Sequence, residues 1–308
     1  MCAPIILFVY NRLDHTKRAL EALSKCDLAE QSVLYIYSDG AKSGDEYDVA
    51  RVREYIHCID GFKEVNIIER EKNYGIELSE VSAITEILGN YSSAIMLEDD
   101  LVVARTFLQY MNDALEKYQS EKQVFFISGY SYLKRKHDEL PECMFLQMPS
   151  TWGWATWTDR WQLFQSVPDG VDKIIYNEKR IKKFNYDGAV TAWGTLLTEQ
   201  YRLGKYTWDI AWGVTVFKHD GLALLPNQSQ VMNIGLDGSG THREMRKGQQ
   251  NNFECSGCNI NQWPEQVEES KKIRRRVGKI LKQQSLYEKY NNKIDQIKQM
   301  LHYFRGEK

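Results

Sequence analysis

The chain has 308 residues, of which 43% are hydrophobic and 27% are charged. This composition is typical of a globular protein with a sizeable core, and the length predicts one large domain or two modest ones. The net charge of −2 argues against a nucleic-acid-binding protein that depends on attraction to phosphates. No stretch approaches the roughly 20 apolar residues that span a bilayer. Because residues 1–10 have no basic start and no small-residue cleavage site, they predict a first strand rather than a signal peptide.

Strand-like and helix-like segments alternate over the first 130 residues. Apolar runs of the buried-strand type occupy 4–10, 33–37, 65–68, 94–97 and 124–127. Helical patterns occupy 14–23, with Asp14 as N-cap, and 46–59, 75–88 and 107–118. This alternation predicts an α/β fold with a mostly parallel sheet flanked by helices.

Polar side chains stand where several of these strands end. Arg12 follows the first strand, Asp39 closes the second, and Glu98-Asp99-Asp100 closes the fourth. In parallel sheets, ligands bind beyond the carboxyl ends of the strands, so these residues should converge on one crevice. A carboxylate at Asp39 suits a ribose hydroxyl or a base N–H, although a plain Asp-Gly turn has the same sequence.

The three consecutive acids at 98–100 indicate a cation site. Burying a carboxylate costs several kcal/mol unless it is paired. Mg²⁺ or Mn²⁺ removes that cost, because such ions take one or two carboxylates and fill their other positions with water and substrate phosphate oxygens. The alternative is a solvated acidic strand end. We favour the cation site, because an apolar strand delivers the acids into the predicted crevice.

Aromatic residues become frequent after residue 140. Seven tryptophans fall within some sixty residues: Trp152, Trp154, Trp157, Trp161, Trp193, Trp208 and Trp212. Strands are predicted at 214–217 and 222–225, on either side of a turn, and a polar loop follows at 233–242. Asp209 lies between Trp208 and Trp212, which predicts a desolvated carboxylate with a raised pKa, suited to act as a general base. The alternative for Asp209 is a helix cap.

The last 38 residues are basic, with twelve Lys or Arg against three Asp or Glu in 271–308. A basic amphipathic segment of this kind can lie on an anionic membrane surface. Alternatively, it is a helix packed on the domain with a solvated basic face. We predict one main domain at 1–262, with halves 1–130 and 131–262, and a basic helical tail at 263–308.

Several motifs resemble those of known enzymes. Segments 4–12, 38–39, 73–75 and 97–101 resemble the nucleotide-sugar half of GT-A glycosyltransferases. The order of later motifs is similar to that of the N-acetylglucosaminyltransferase I-like family, over about residues 3–245. These motifs are Glu98-Asp99-Asp100, Gly153-Trp154, Asp159-Arg160-Trp161, Trp208 to Trp212, Asn233-Ile234-Gly235 and Gly238. The resemblance implies a GT-A (Rossmann-like) fold. The chain departs from the family in its tail and in having no N-terminal membrane anchor.

The resemblance also implies roles for individual residues. Asp100 would coordinate the metal, Mn²⁺ or Mg²⁺, and Asp209 would be the catalytic base. His242 could add a ligand to this metal or a hydrogen-bond donor to the diphosphate. The donor-binding residues would be Arg12, Asp39, Asn73, Glu98, Asp99, Gly153 and Trp154, the last two beside the transferred sugar.

The predicted function is metal-dependent, inverting transfer of a hexose or N-acetylhexosamine from a nucleotide-sugar, with UDP-sugar favoured, to a glycan or lipid-linked glycan. Two alternatives remain open. One is sugar-phosphate nucleotidyl transfer, although the loop after the first strand contains no glycine. The other is non-catalytic carbohydrate binding, which the tryptophans would serve but which leaves the acids unexplained. The predicted location is the cytoplasm, with or without contact at the inner face of a membrane.

Overall fold

The computed structural model describes residues 2–133, 135–148, 150–237, 257 and 259–285. Within them, eight strands form one sheet in the order β3-β2-β1-β4-β8-β6-β9-β7, and two short strands pair separately as β10-β5. Six of the eight strands run in the same direction. The predicted α/β class, with a mostly parallel sheet flanked by helices, is confirmed.

The strands are β1 Ile5–Val9, β2 Val33–Ser38, β3 Glu64–Glu69, β4 Ser93–Glu98, β5 Leu101–Val103, β6 Val124–Ser128, β7 Cys143–Leu146, β8 Trp154–Trp157, β9 Leu222–Pro226 and β10 Val231–Asn233. The helices are α1 Leu13–Ser24, α2 Glu46–Ile56, α3 Gly75–Leu88, α4 Phe107–Lys117, α5 Thr158–Trp161, α6 Asp172–Ile175, α7 Glu178–Phe184, α8 Thr191–Leu203 and α9 Trp208–Lys218.

One half of the sheet is parallel and comes from the first hundred residues. β1 lies between β2 and β4, and all five of its residues are buried. Helices cover both faces, which explains why these strands are continuous apolar runs. In register, Phe8 pairs with Glu98 and Val9 with Ser38, so the carboxyl ends of the three strands meet at one edge.

The other half of the sheet is mixed. β8 inserts antiparallel between β4 and β6, and β9 runs parallel to β6. β5 directly follows the acidic cluster and pairs antiparallel with β10. A later part of the chain, Val231–Asn233, is thereby held beside the acids.

Two local predictions were wrong. The Val214–Phe217 run belongs to α9, not to a strand. All four of its residues are buried, so the helix is covered on most sides and its sequence lacks an amphipathic period. Asp14 is the second residue of α1 and not its N-cap, since Arg12 occupies that position without a side-chain cap.

A helix over residues 271–285 begins the basic tail. Val277, Ile280 and Leu281 are buried in the core beside Trp154 and its neighbours. Arg274 donates hydrogen bonds to Asp187 and Glu269, both at 2.6 Å. The described part of the tail therefore packs on the domain. Residues 286–308 lie outside the described residues, and membrane contact by the tail stays a prediction.

Among the described residues, no helix combines the length and the apolar character that a membrane span requires.

Candidate active site

Arg12 connects the carboxyl ends of β1 and β4. Its Nη2 donates hydrogen bonds to Asp99 and, at 2.9 Å, to Oδ2 of Asp100. Burial lowers the pKa of Arg12, but the two carboxylates outweigh burial and raise it overall. Three of the predicted site residues thus form one ion-pair cluster at the predicted edge of the sheet.

The acids of this cluster are inside the protein. Asp99 and Asp100 are only 4% and 8% exposed. Burial, together with repulsion from Asp100 and Asp99, raises the pKa of Glu98 to about 8, although Arg12 opposes the shift. When ionised, Asp99 and Asp100 together carry more negative charge than the single Arg12 guanidinium neutralises, which is an environment that attracts a cation.

Asp100 suits a divalent metal ion that arrives with a substrate. Its Oδ1 is buried without a hydrogen-bond partner, and Oδ2 lies so close to Gly235 that a Cβ there would be 2.1 Å away. The described residues contain no group of three or more His, Cys, Asp or Glu arranged to hold a metal. Mg²⁺ bound with a nucleotide needs only one or two carboxylates, so Asp100 fits that mode. His242, the other predicted ligand, lies outside the described residues.

Asp39 is buried and binds backbone amides. Its oxygens accept hydrogen bonds from the N–H groups of Gly40, Tyr74 and Gly75, at 2.9–3.1 Å. These contacts cap the N-terminus of α3. Asn73 donates to the Gly40 carbonyl at 2.7 Å, which joins the same turn. Both residues therefore shape the end of β2, and their contact with a donor stays a prediction.

Two carboxylates that we did not predict, Glu77 and Glu80, lie on α3; Glu77 contacts the start of α9, and Glu80 is subject to repulsion from Glu98. Glu80 is 3% exposed. Burial, followed by repulsion from Glu98 and Glu77, raises the pKa of Glu80 well above its usual value. The sequence holds a clue to this position, because Glu80 precedes the buried Ile84 and Ile87 by four and seven residues and so shares their helix face.

Asp209 is exposed, which corrects the expectation of a desolvated carboxylate. Trp208 and Trp212 are four residues apart and share the buried face of α9, whereas Asp209 is rotated by about 100° from Trp208. Glu77 accepts a hydrogen bond at 2.5 Å from the backbone N–H of Trp208. Glu77 therefore fixes the start of the helix that carries Asp209. The role of Asp209 as base stays a prediction.

Trp154 was predicted to lie beside the transferred sugar, and in the structure this residue is 2% exposed. It packs on Trp208 in a stacked geometry, with ring centroids 5.6 Å apart. Gly153 has a φ of +61°, and a Cβ there would lie 2.7 Å from Val231. This glycine allows β10 to approach β8 closely. Trp154 therefore supports the site from the core, and its contact with a donor sugar stays a prediction.

Glu80→Gln is expected to stabilise the protein at about pH 8, by about 1–3 kcal/mol, because burial and the neighbouring carboxylates penalise the ionised form of Glu80. The raised pKa means that the folded state holds this proton more tightly than the unfolded state. Stability therefore falls as pH rises from the unfolded pKa towards the folded one. At about pH 4 both states are protonated, and the difference should vanish.

Urea unfolding of wild type and variant at the two pH values measures this difference. Glu116→Gln, at an exposed position of α4, is the matched control and should change little. A Glu80→Gln protein no more stable than wild type at about pH 8 would contradict the assignment.

The part of the chain that the structure describes is thus an α/β protein whose acidic cluster lies at the carboxyl ends of parallel strands. No protein-family model matches the sequence, and no curated protein matches it. Similarity is found only at the level of solved structures. S. aureus TarS shares 12% identity, with a TM-score of 0.43, over 75% of this chain, which spans 36% of the length of TarS.

Two further structures are similar over most of their length. The mannosyltransferase PcManGT from Pyrobaculum calidifontis, in complex with GDP-Man and Mn²⁺, shares 12% identity, with a TM-score of 0.38, over 70% of this chain and 69% of its own. An active-site mutant of LgtC shares 9% sequence identity, with a TM-score of 0.37, over 70% of this chain and 70% of its own. Similarities at this level do not assign a function to this chain.

Proposed function

We propose that the protein is a metal-dependent glycosyltransferase that moves a sugar from a nucleotide-sugar, UDP-sugar foremost, to a hydroxyl group of a glycan or lipid-linked glycan. The observation that carries this proposal is the buried acidic cluster at the end of β4, with one oxygen of Asp100 lacking a partner. The resemblance of the motif order to GT-A enzymes supports the same class.

In this proposal, Asp100 would hold Mg²⁺ or Mn²⁺, which would supply Lewis-acid stabilisation of the departing nucleoside diphosphate. Asp99 contacts the ribose. Arg12 keeps both carboxylates oriented through the hydrogen bonds described above and adds positive charge beside the phosphates. The donor is thereby positioned where the parallel strands end, as ligands are in open α/β sheets.

Asp209 acts as the general base. It accepts the proton of the acceptor hydroxyl while that oxygen bonds to the anomeric carbon, and the bond from this carbon to the diphosphate oxygen breaks. Attack from the face opposite the leaving group inverts the anomeric configuration. The exposure of Asp209 on α9 supports this role, because the carboxylate can reach a substrate. Repulsion from its charge also contributes to the raised pKa values of Glu98 and Glu80.

The test is release of UDP or GDP from a panel of UDP-sugars and GDP-mannose, with Mn²⁺ and with chelator. We expect Mn²⁺-dependent release from at least one donor, and faster release when a mixture of short glycans is added. Release of pyrophosphate from a nucleoside triphosphate plus a sugar phosphate would instead identify a nucleotidyltransferase. Absence of either product would leave carbohydrate binding without catalysis.

A further inference from the structure

An aromatic cavity of about 280 Å³ lies beside Asp209. Four of the rings that line it are Tyr130, Tyr132, Trp152 and Trp193. Tyr130 meets Trp152 with centroids 4.6 Å apart, and Tyr132 meets Trp193 at 5.6 Å, both edge to face. These contacts hold the rings in fixed orientations around the space, since edge-to-face pairs are a favoured aromatic geometry.

The cavity wall also contains a buried side-chain oxygen that lacks a hydrogen-bond donor. Gln147 lines it and is only 7% exposed, and its Oε1 is buried without a hydrogen-bond partner. A buried carbonyl oxygen of this kind is costly unless something donates to it. Ser150 and Thr151 lie at the same wall. A ligand that donates hydrogen bonds would therefore be stabilised here.

The charges around the cavity restrict the ligand further. Asp209 is the one charged side chain among the described residues that line it. A diphosphate or another anion would be repelled by this carboxylate and would find no Lys or Arg on the described walls. The volume lies just below the usual range of about 300–1,000 Å³ for drug-sized ligands, which suits a single six-membered ring. A pyranose is neutral, has apolar C–H faces for the rings and carries hydroxyl donors at its edge.

We infer that this cavity is the acceptor subsite, which holds a neutral pyranose ring against Trp152 and Trp193, with a sugar hydroxyl donating to Oε1 of Gln147. The role as acceptor subsite rests on the proposed function, whereas sugar binding in the cavity does not. Asp209, which lines the cavity, is then adjacent to the bound sugar. The donor and the acceptor bind at separate sites, because of these two sites the acidic cluster attracts a metal-bound diphosphate and the cavity does not.

The test is binding of methyl glycosides of glucose, galactose, mannose and N-acetylglucosamine to the full chain without any donor. Saturation-transfer NMR and tryptophan fluorescence report the binding, and cyclohexanol is the apolar ring of equal size. We expect at least one glycoside to bind with a Kd of about 1 mM or less, and more tightly than cyclohexanol. Absence of binding by every glycoside at about 50 mM, or tighter binding of cyclohexanol, would overturn the inference.

Variants locate the binding. Trp193→Ala and Gln147→Leu should each weaken it about fivefold or more, because each removes a contact worth about 1 kcal/mol. Trp193→Phe keeps a ring and should fall between wild type and Trp193→Ala. Tyr47→Ala, at a residue of α2 that is 74% exposed, is the control and should bind as wild type. Unchanged binding by folded Trp193→Phe and Gln147→Leu proteins would place the sugar elsewhere.

The outcome is separable from that of the proposed function. A protein that releases UDP but binds no glycoside in this cavity would retain the proposed function and lose the subsite. Glycoside binding that Trp193→Ala weakens, without nucleotide release from any donor, would support the sugar-binding cavity and contradict the transferase.

Discussion

Asp209→Asn is expected to lower kcat about 10²–10⁴-fold while leaving donor affinity unchanged, because a well-placed general base contributes that factor. The amide keeps the size and polarity of the side chain but accepts no proton. Since Asp209 is exposed in the first turn of α9 and its neighbours Trp208 and Trp212 carry the packing, the variant should fold as wild type. Steady-state kinetics with a saturating donor, together with calorimetry of UDP binding, separates the two effects.

Asp220→Asn is a suitable control for this experiment. Asp220 follows the other end of α9, and its exposed side chain pairs only with Lys183 among the described contacts. Its left-handed backbone, with a φ of 48°, is one that asparagine tolerates. Turnover of Asp209→Asn within a few-fold of this control would remove Asp209 from the mechanism and with it the argument for inversion.

Asp100→Ala is expected to abolish the part of donor binding that depends on metal. Its carboxylate is the proposed protein ligand of the metal. The loss of metal affinity should therefore exceed the roughly 10–100-fold loss that follows when a residue that only supports a metal ligand is changed. Arg12 keeps its hydrogen bond to Asp99 in the variant, and the ion pair at the end of β1 survives. Calorimetry of UDP with Mn²⁺ and with chelator measures the effect.

Two comparisons make this result specific. Asp48→Ala, at an exposed position of α2, changes the net charge equally and should leave metal-dependent binding intact. Asp100→Asn retains the shape of the side chain and should lose metal affinity without loss of thermal stability. Equal binding with Mn²⁺ and with chelator in the wild type, or Mn²⁺-dependent binding that persists in Asp100→Ala, would refute the assignment.

The parallel half of the sheet and its edge could be predicted because the evidence for them is local. Buried strands such as β1 and β4 are short apolar runs; β4 ends at Glu98, and polar residues follow the end of β1. The topology of parallel sheets then places the ends together. The convergence of Arg12, Asp99 and Asp100 on one edge follows from this placement, whereas their ion pairs are visible only in the structure.

The mixed half of the sheet could not be predicted in the same way. β8 lies antiparallel between β4 and β6, a pairing that no local pattern specifies. Val214–Phe217 has strand-like composition, yet tertiary packing makes it helical within α9. Short apolar runs are ambiguous in this respect, because burial on all sides removes the periodicity that distinguishes a helix from a strand.

The environment of individual side chains was harder still to predict from the sequence. Sequence neighbours suggested that tryptophans shield Asp209, but the helix places them on different faces. The cavity walls come from segments distant in the chain, from Tyr130 and Gln147 to Trp193 and Val216. Only the folded chain brings these residues together, so the candidate sugar subsite could not be recognised from residue order.

The most direct test of the cation at the end of β4 is a crystal structure with UDP and Mn²⁺, recorded with anomalous data at the manganese edge. The account predicts one manganese peak within about 2.2 Å of an Asp100 carboxylate oxygen, bridging to the diphosphate. A nucleotide bound with no manganese at Asp100, or a peak on other residues, would contradict it.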